Sequence, residues 1–298
     1  MSKYRYTVII PFYNANETIG RLLNTIPSRN DIQILVIDDN SDNTNLELFK
    51  TRSNLQYIVN DTGVKGAGSC RNIGLNHALG DFVLFCDADD YMLENAFNIF
   101  DEYYNSDFDI IYFKPTSICS NIDHVSVRHV AYEILVDDLV NMGNEDCRYK
   151  FYVPWSKLIR RNLIDENDIR FDQVIASNDV NFSLKVGFYA KRVSGDKRSI
   201  YCVVESNNSL TKKTSEEVID SRYYAMCRYN EFLVNNNLKD KLNPMTFHLK
   251  NSLKFGIYKL LMRFFETKYY GYPTFHNLSS IKMLFRKYAL IREIKNKG

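Results

Sequence analysis

The first 90 residues alternate short apolar runs with segments of helical spacing, and this alternation restricts the fold more than any other feature. We predict strands over residues 6–10, 32–37, 55–59 and 82–85, and helices over residues 16–24 and 70–79, the second closed by Gly80. The apolar runs place β-branched and aromatic residues at successive positions, which is typical of strands buried on both faces. Such strands, separated by helices, predict a parallel sheet covered on both sides.

Polar clusters follow the carboxyl ends of these strands, where sheets of this type bind ligands. The clusters lie at residues 11–14, 38–40, 66–71 and 87–90. The last one places Asp87, Asp89 and Asp90 within four positions after an apolar strand. Carboxylate oxygens suit hard divalent ions such as Mg²⁺ or Mn²⁺, which proteins commonly share with substrate phosphates. We therefore expect a metal-assisted enzyme that acts on a phosphorylated donor.

The rest of the chain carries weaker patterns. We predict a helix over residues 94–104, strands over 108–113 and 199–204, an ordered segment over 153–159, and a helix over 177–187 with Ser177 or Asn178 as its N-cap. Residues 116–150 give no secure assignment. From Ser215 onward the spacing is helical. We predict a catalytic α/β domain over residues 1–214 and a basic, amphipathic helical region over residues 215–298.

The charge of the chain is unevenly distributed. Residues 241–298 contain 12 Lys and Arg against two acidic residues, a net charge of +10, so the other 240 residues carry −8 of the total of +2. Two tail segments, residues 247–264 and 281–292, place Lys and Arg beside apolar stripes. Basic amphipathic helices lie flat in a lipid interface, so we predict contact with an anionic membrane surface. Packing onto the catalytic domain and dimer formation are the alternatives.

Several features indicate the compartment. No run of about 18 apolar residues occurs, and no apolar leader precedes the first predicted strand. The six cysteines form no CxxC pair, which favours reduced thiols. We expect a cytoplasmic protein with a peripheral contact at the cytoplasmic membrane face. Nucleic-acid binding is disfavoured, because the basic tail lacks a recognisable module and the main domain is acidic.

Six stretches resemble, in order and spacing, the family 2 glycosyltransferases with the GT-A fold. They are residues 8–14 (VIIPFYN), 36–41 (VIDDNS), 66–74 (GAGSCRNIG), 80–90 (GDFVLFCDADD), 155–160 (WSKLIR) and 178–179 (ND). The resemblance implies a Rossmann-like, nucleotide-sugar-binding mixed sheet with a C-terminal helical appendage. It also implies an inverting enzyme that moves one sugar from a nucleotide sugar, most often a UDP sugar, to a hydroxyl of a surface-glycan or lipid-linked acceptor.

The resemblance assigns roles to individual residues. Asp39 would accept a hydrogen bond from the base, Arg71 would approach the nucleotide, and Asp87 would contact the ribose side of the donor. Asp89 would hold the Mn²⁺ or Mg²⁺ that bridges both phosphates, and Asp179 would be the catalytic base. The donor-contacting set that it implies is Pro11, Tyr13, Asn14, Asp39, Gly66, Arg71, Asp87 and Ala88. The polar segment 206–213 resembles the family's segment near the donor diphosphate.

A single displacement at an anomeric carbon needs the same parts on physical grounds. Charge builds on the departing diphosphate, which a divalent cation neutralises, and a base on the opposite face takes the proton of the acceptor hydroxyl. Asp179 suits this base, since a helix N-terminus favours an ionised carboxylate. The family usually has Glu-Asp where this chain has Asn178-Asp179, and an amide cannot carry charge. A catalytically impaired sugar-nucleotide-binding or scaffold protein is therefore the alternative hypothesis.

Other interpretations stay open at individual positions. Trp155 and Asn178 are candidate acceptor contacts, and core packing is an equal alternative for Trp155. Residues 38–40 also fit an Asx turn. A nucleotidyltransferase would share the carboxylate-bound metal, but it usually needs a Gly-rich basic loop near the N-terminus, for which residues 11–14 are a poor substitute. The Gln-x-x-Arg-Trp segment of processive members is absent, which favours transfer of one sugar.

Overall fold

The computed structural model describes residues 3–50, 52–120, 125–205, 214–275 and 278–297. Within these ranges the strands are β1 (Tyr4–Phe12), β2 (Ile32–Asp38), β3 (Leu55–Val59), β4 (Gly80–Phe85), β5 (Tyr91–Met92), β6 (Ile110–Cys119), β7 (Lys157–Arg160) and β8 (Val193–Glu205). They form a mixed sheet in the spatial order β3-β2-β1-β4-β7-β6-β8-β5.

Some helices lie between the strands in the chain, and others come after the last strand. The described helices are α1 (Asn16–Thr25), α2 (Ala67–His77), α3 (Ala96–Tyr103), α4 (Val130–Met142), α5 (Cys147–Lys150), α6 (Arg161–Glu166), α7 (Val180–Tyr189), α8 (Glu216–Asn235), α9 (Thr246–Ser252), α10 (Ile257–Tyr269) and α11 (Leu278–Lys297). Short 3-10 turns lie at Leu46–Phe49, Lys239–Lys241 and Leu253–Phe255.

The N-terminal half of the sheet is parallel, as predicted. β1 lies between β2 and β4, and its Val8 pairs with Ile34 on one side and Leu84 on the other. Every residue of β2 is buried, which explains its unbroken apolar run. Because parallel strands end at the same edge of a sheet, the polar segments after β1, β2 and β4 lie side by side.

The second half of the sheet is mixed, which agrees with the predicted fold class. β7 is antiparallel to both β4 and β6, whereas β8 is parallel to β6. β6 and β8 are longer than predicted, and the register between them shifts at residues Phe113 to Pro115. Proline donates no backbone hydrogen bond and is tolerated in a strand at such an irregularity. The shift interrupts the alternating pattern, so residues 116–119 could not be recognised as strand.

Two glycines behave differently from the predictions. The helix predicted from Cys70 begins at Ala67, after Gly66 has turned the chain with φ 123°. Gly80 does not close that helix but begins β4. A Cβ atom on Gly80 would lie 2.6 Å from the backbone N of Thr7, so glycine is needed there for the close approach of β4 to β1.

The start of α7 also differs from the prediction. Its first residue is Val180, and its N-cap is Asp179 rather than Ser177 or Asn178. Ser177 has φ 59°, in the left-handed region that a non-glycine residue adopts rarely. The turn at Ser177 moves the helix start by two residues and leaves Asn178 and Asp179 at the helix entrance.

The C-terminal helices pack against the α/β part of the chain. Tyr229 and Leu233 of α8 form a buried cluster with Val180 and Leu184 of α7. The guanidinium of Arg286 on α11 donates two hydrogen bonds of 2.8 Å to the carboxylate of Asp138 on α4. Two helices of the basic region are therefore anchored beside the predicted catalytic elements.

Two further predictions concern the chain as a whole. All six cysteines are free and four of them are buried, in agreement with reduced thiols. Within the described ranges, no helix combines the length and the apolar character that crossing a bilayer requires. The predicted domain boundary at residue 214 falls between β8 and α8 and stays a prediction, and segment 206–213 lies outside the described residues.

Candidate active site

A cavity of about 710 Å³ opens at the carboxyl ends of β1, β2 and β4. This volume is within the range of small-molecule binding sites. The cavity brings together all of the predicted site residues except Asn14 and Trp155. Those that line it are Pro11, Tyr13, Asp39, Gly66, Arg71, Asp87, Ala88, Asp89, Asn178 and Asp179.

The two aspartates that end β2 have different surroundings. Asp38 is buried and accepts hydrogen bonds from the backbone N and the hydroxyl of Ser41, as in an Asx turn. Asp39 lines the cavity and accepts from the side-chain amide of Asn60 and from the backbone N of Gly66, both at 2.7 Å. The Asx-turn alternative therefore describes Asp38, and Asp39 also fixes the start of α2.

The loop after β1 contributes Tyr13 but not Asn14. Asn14 has φ 49°, and its side chain exchanges two hydrogen bonds with Asp42, of 2.8 and 3.0 Å. Its amide groups are thus used to shape the loop, which corrects the expectation that Asn14 lines the nucleoside pocket. The ring of Tyr13 is 52% exposed, and the ammonium of Lys65 lies 5.6 Å from its centroid.

Arg71 joins the two ends of the cavity. It is almost completely buried, and its guanidinium donates to the carboxylate of Asp87 at 2.6 Å and to the side-chain oxygen of Asn178 at 2.8 Å. Asp87 follows the end of β4, and Asn178 lies in the loop before α7. A Cβ atom on Gly68 would lie 2.3 Å from the carbonyl oxygen of Asp172, so glycine allows α2 to approach that loop closely. Its burial distinguishes Arg71 from an ordinary surface salt-bridge residue.

The carboxylates after β4 point in different directions. Asp90 is buried and accepts from the backbone N of Val204 at 2.7 Å and from the hydroxyl of Tyr201 at 2.8 Å. The same hydroxyl accepts from the backbone N of Asp87 at 2.9 Å. Burial, and then the charges of Asp87 and Asp89, raise the pKa of Asp90 well above its ordinary value. Asp90 therefore supports the turn.

Asp89 is the exposed member of the cluster and fits a shared metal ion. Solvent reaches it through the cavity, but protein surrounds much of its carboxyl; this enclosure, followed by the charge of Asp87, raises the pKa of Asp89. Among the residues that the structure describes, no three His, Cys, Asp or Glu side chains could cage a metal. The donor set instead fits a divalent ion that is bound by one or two carboxylates and completed by substrate phosphates.

Asp179 lies at the entrance of α7, in the cavity wall. Burial raises the pKa of Asp179 and Asp87 adds to the rise, whereas Arg71 opposes it. A helix N-terminus favours the ionised form of this carboxyl, as we noted from the sequence, but the effect of burial on its pKa is larger. A carboxylate with a raised pKa is the stronger base, which suits proton abstraction at neutral pH.

Trp155 is a core residue. It is 1% exposed, and its ring stacks on Tyr201 with centroids 5.8 Å apart. This burial agrees with the core-packing alternative for Trp155 and not with its role as an acceptor contact. Tyr132 of α4 lines the cavity instead, and its ring packs edge-on against Trp155 at 5.2 Å.

The prediction missed several other residues that line the cavity. The polar ones with long side chains include Tyr132, Arg128, Arg222 and Lys287. Tyr132 and Arg128 belong to the segment without a recognisable pattern, whereas Arg222 and Lys287 lie in helices that were read only as a basic tail. Their sequence distance from the strand ends leaves no local signal for a shared site.

A family model described as "Glycosyl transferase family 2" matches residues 7–167, which is more than half of the chain. This chain belongs to glycosyl transferase family 2. The match runs from β1 through α6 and includes the carboxylate cluster after β4, whereas Asn178 and Asp179 follow it.

Two characterised relatives and one solved structure extend the comparison of this family 2 chain. TarS of Staphylococcus aureus (strain MW2), a poly(ribitol-phosphate) beta-N-acetylglucosaminyltransferase, is 28% identical over 202 residues, 64% of this chain and 34% of TarS. WfgD of Escherichia coli, a UDP-Glc:alpha-D-GlcNAc-diphosphoundecaprenol beta-1,3-glucosyltransferase, is 32% identical over 98 residues, 32% of this chain and 39% of WfgD. The matched part of this chain thus spans between a third and two fifths of each relative.

The crystal structure of TarS residues 1–349 in complex with UDP-GlcNAc superimposes with a TM-score of 0.66 at 21% identity. It covers 84% of this chain and 73% of the TarS fragment. This likeness confirms the predicted GT-A fold.

Proposed function

We propose that this chain is an inverting glycosyltransferase that moves one sugar from a UDP sugar to a hydroxyl of a surface-glycan or lipid-linked acceptor. The observation that carries the proposal is the single cavity that joins Asp39, Arg71, Asp89 and Asp179. Membership of glycosyl transferase family 2 supports the reaction class. The name of WfgD and the UDP-GlcNAc complex of TarS support a UDP-sugar donor.

The donor end of the cavity is built around Asp39. Its carboxylate already accepts two hydrogen bonds, and a carboxylate has about four acceptor positions, so it can still accept a hydrogen bond from an N–H of the base. Pro11 and Tyr13 line the cavity beside it. Arg71 keeps Asp87 oriented towards the ribose side of the donor.

Asp89 is the residue that would hold Mn²⁺ or Mg²⁺ together with the donor diphosphate. When bound, such an ion neutralises charge that develops on the departing diphosphate. Burial, and then the charge of Asp87, raise the pKa of Asp89, and a bound cation would offset both effects, which supports this assignment.

Asp179 takes the proton of the acceptor hydroxyl as the oxygen attacks the anomeric carbon. The new bond forms on the face opposite the diphosphate, the bond to the diphosphate breaks, and the configuration inverts. Arg71 contacts both the donor side and the base side of the cavity. It pairs with Asp87, and it also orients Asn178, which precedes the base Asp179. Asn178 thus replaces the usual Glu by an amide that accepts a hydrogen bond from Arg71.

The first experiment is a thermal-shift screen of nucleoside diphosphates and their sugars, with and without Mn²⁺. At a hundredfold excess over its Kd, a ligand of the native state adds about 2.7 kcal/mol, which corresponds to roughly 4 °C for a chain of this length. We expect UDP to stabilise most, and Asp89→Asn to lose the Mn²⁺-dependent part of the shift. If no UDP compound stabilises the wild type, the donor assignment is wrong.

A turnover assay then distinguishes an enzyme from a scaffold protein. The scaffold alternative is motivated by the amide at Asn178. We expect the wild type to hydrolyse or transfer a UDP sugar, with release of UDP. Asp179→Asn should keep the UDP-induced stabilisation but lose turnover. Stabilisation by UDP without any turnover in the wild type would support the scaffold alternative.

We further propose that α10 contacts the cytoplasmic membrane face. The inner side of α10 combines charged contacts to α8 with apolar packing, because Leu260 and Phe264 contact the buried cluster that includes Tyr223 of α8. Arg263, which is 2% exposed, donates to Asp220 of α8 and to the Ser252 hydroxyl, the latter at 2.5 Å. Lys259 donates to Glu216 at 2.5 Å. Two charged residues of this helix, Lys259 and Arg263, are therefore paired within the protein.

The opposite side of α10 presents apolar groups to solvent. We call this set the outer face of α10; its members are between 45% and 85% exposed and are Ile257, Tyr258, Leu261, Met262, Phe265 and Tyr269. Lys250, Lys254 and Lys268 are exposed nearby in the chain. Apolar and aromatic groups flanked by lysines suit an interface with anionic lipid, where each cation gains about 1 kcal/mol.

Flotation with vesicles of phosphatidylglycerol and phosphatidylcholine tests this contact. We expect the wild type to float with anionic vesicles, and the double variant Tyr258→Ser, Phe265→Ser to stay in the soluble fraction. Met142→Ser, which removes an exposed apolar side chain from α4, is the matched control and should float like the wild type. If the double variant floats as well as the wild type, the proposed contact is wrong. The contact is also wrong if the double variant changes its oligomeric state but not its flotation.

A further inference from the structure

The segment that carries Asp179 is held by α8, a helix that begins well after the residues matched by the family model. We call residues 172–179 the base segment, and its second half, from Ile175 to Asp179, lines the cavity. The segment is closed on itself, because the backbone N of Asp172 donates to the carbonyl oxygen of Asn178 at 3.1 Å. The positions of its two ends are therefore coupled.

Three residues of α8 meet this part of the chain at helical spacing. They are Ser221, Ala225 and Arg228, at positions i, i+4 and i+7, which share one face of an α-helix. The Ser221 hydroxyl accepts from the backbone N of Ala176 at 3.1 Å and donates to the carbonyl oxygen of the same residue at 2.8 Å. The carbonyl oxygen of Ala225 accepts from the side-chain amide of Asn181 at 3.3 Å. One face of α8 thus contacts both the base segment and the first turn of α7.

Asp172 joins these contacts into one network. Its carboxylate accepts from two N–H groups of the Arg228 guanidinium, at 2.9 and 3.1 Å, and from the side-chain amide of Asn181 at 2.6 Å. The Asp172 side chain is 20% exposed, so the ion pair is partly shielded from water. Charge-assisted hydrogen bonds of this kind fix geometry more strongly than an exposed ion pair does. Arg228 therefore fixes the start of the base segment, whose end carries Asp179.

The donor end of the cavity is held by different contacts. Asp39 accepts from Asn60 and from the backbone N of Gly66, and both Asp39 and Asp89 follow strands of the parallel sheet. Within the described ranges, the Arg228 guanidinium donates to Asp172 alone. A change at Arg228 should therefore displace the base and leave the donor groups in place.

We propose that Arg228 is a positioning residue for the reaction, which holds Asp179 in place through Asp172; the inference rests on the proposed function. A base must lie within hydrogen-bond reach of the proton that it takes, and a misplacement of about 1 Å costs on the order of a hundredfold in rate. Loosening the base segment should therefore lower kcat and leave the affinity for the donor unchanged. In this way α8 contributes to catalysis without touching the reacting atoms.

Hydrolysis of UDP-GlcNAc and UDP-glucose by the full chain with Mn²⁺ tests the proposal, since water then replaces the acceptor hydroxyl. We expect Arg228→Gln to lower kcat at least about tenfold and to leave the Kd of UDP unchanged. Arg228→Lys keeps a charged donor and should recover part of the loss. Arg192→Gln is the matched control, because Arg192 also pairs with an aspartate at 2.9 Å, Asp107, but on the exposed surface. The control should keep the kcat of the wild type.

The pH profile separates positioning from a general loss of structure. Burial is the main cause of the raised pKa of Asp179. The charged groups that also act on this pKa, Arg71, Asp87 and Lys157, lie outside the base segment. A loosened base segment admits water, so the pKa of Asp179 should fall towards its ordinary value, and the acid limb of kcat in Arg228→Gln should move to lower pH. A loss of kcat that is equal at every pH would overturn the proposal.

The outcomes distinguish this inference from the proposed function. If the wild type releases no UDP from either sugar, the proposed function fails, and this inference fails with it. If the wild type is active and Asp179→Asn is not, but Arg228→Gln keeps the kcat of the wild type, only this inference is wrong. It is also wrong if the Kd of UDP rises as much as kcat falls. Should thermal unfolding show that Arg228→Gln does not fold, Arg228→Lys and Asp172→Asn test the same prediction, with a smaller expected loss of kcat.

Discussion

Tyr201 is a buried residue whose hydroxyl organises the carboxylate cluster, and Tyr201→Phe removes only that oxygen. The hydroxyl donates to Asp90 at 2.8 Å and accepts from the backbone N of Asp87 at 2.9 Å. Burial raises the pKa of Tyr201 far above its usual value, so the hydroxyl stays protonated and remains a donor. Phenylalanine keeps the ring that stacks on Trp155. The variant therefore isolates two hydrogen bonds.

The expected loss follows from the groups left without partners. A hydrogen bond to a charged group contributes about 1.5–3 kcal/mol and one between neutral groups about 0.5–1.5 kcal/mol, so the variant should lose about 2–4 kcal/mol. The entropy of unfolding of a chain of 298 residues is about 0.6 kcal/mol per degree, so Tm should fall by roughly 3–6 °C. The hydroxyl lowers the pKa of Asp90, so its contribution to stability grows as Asp90 ionises. The loss should be larger at high pH than at low pH.

Scanning calorimetry of Tyr201→Phe at several pH values measures this loss. Tyr104→Phe is the matched control, since it removes a tyrosine hydroxyl that donates to Asp81 at 2.7 Å on a half-exposed part of the surface. The control should lose less than about 1 kcal/mol. Equal Tm values for the two variants, or a loss independent of pH, would refute the view that Tyr201 supports Asp90.

Three further predictions concern packing and titration. Gly68→Ala should cost about 1–3 kcal/mol in urea unfolding, because its Cβ would lie 2.3 Å from the carbonyl oxygen of Asp172, whereas Gly20→Ala has open space and should be neutral or stabilising. Asp179 must be deprotonated to act, so kcat/KM should fall with decreasing pH through its raised pKa, and Asp179→Asn should abolish this limb together with most activity. Burial lowers the pKa of Lys157 from 10.5 to about 7, so the unfolded chain binds more protons than the folded chain between pH 7 and pH 10.5. The free energy of unfolding should therefore rise with pH in this range. Lys157→Met should reduce this pH dependence in unfolding curves measured across the same range.

The parallel half of the sheet could be predicted because its strands are buried on both faces. β1, β2 and β4 read as continuous apolar runs, and the polar segments after them had to meet at one edge. The same logic gave most residues of the cavity, since they lie within a few positions of a strand end. Trp155 was ambiguous because burial and exposure of an aromatic ring depend on its tertiary neighbours, here Tyr201 and Tyr132.

Other parts depended on contacts that no local pattern contains. The N-cap of α7 was misplaced because Ser177 adopts a left-handed conformation that is rare for serine. The hydrogen bonds of Asp90 come from Tyr201 and Val204, more than a hundred residues later in the chain. Arg222 and Lys287 reach the cavity only because α8 and α11 pack against the α/β part.

The tail shows the limit of periodicity most clearly. An amphipathic pattern predicts which residues of α10 share a face, but it does not predict which face is turned inward. Asp220 of α8 decides this question, because it pairs with both Lys259 and Arg263 and draws the polar face of α10 inside. The outer face of α10 is then left exposed to solvent, and only Leu260 and Phe264 of its apolar residues pack inward. Replacing Asp220 would remove the reason for this orientation, so the proposed membrane contact and the packing of α10 are two consequences of the same ion pairs.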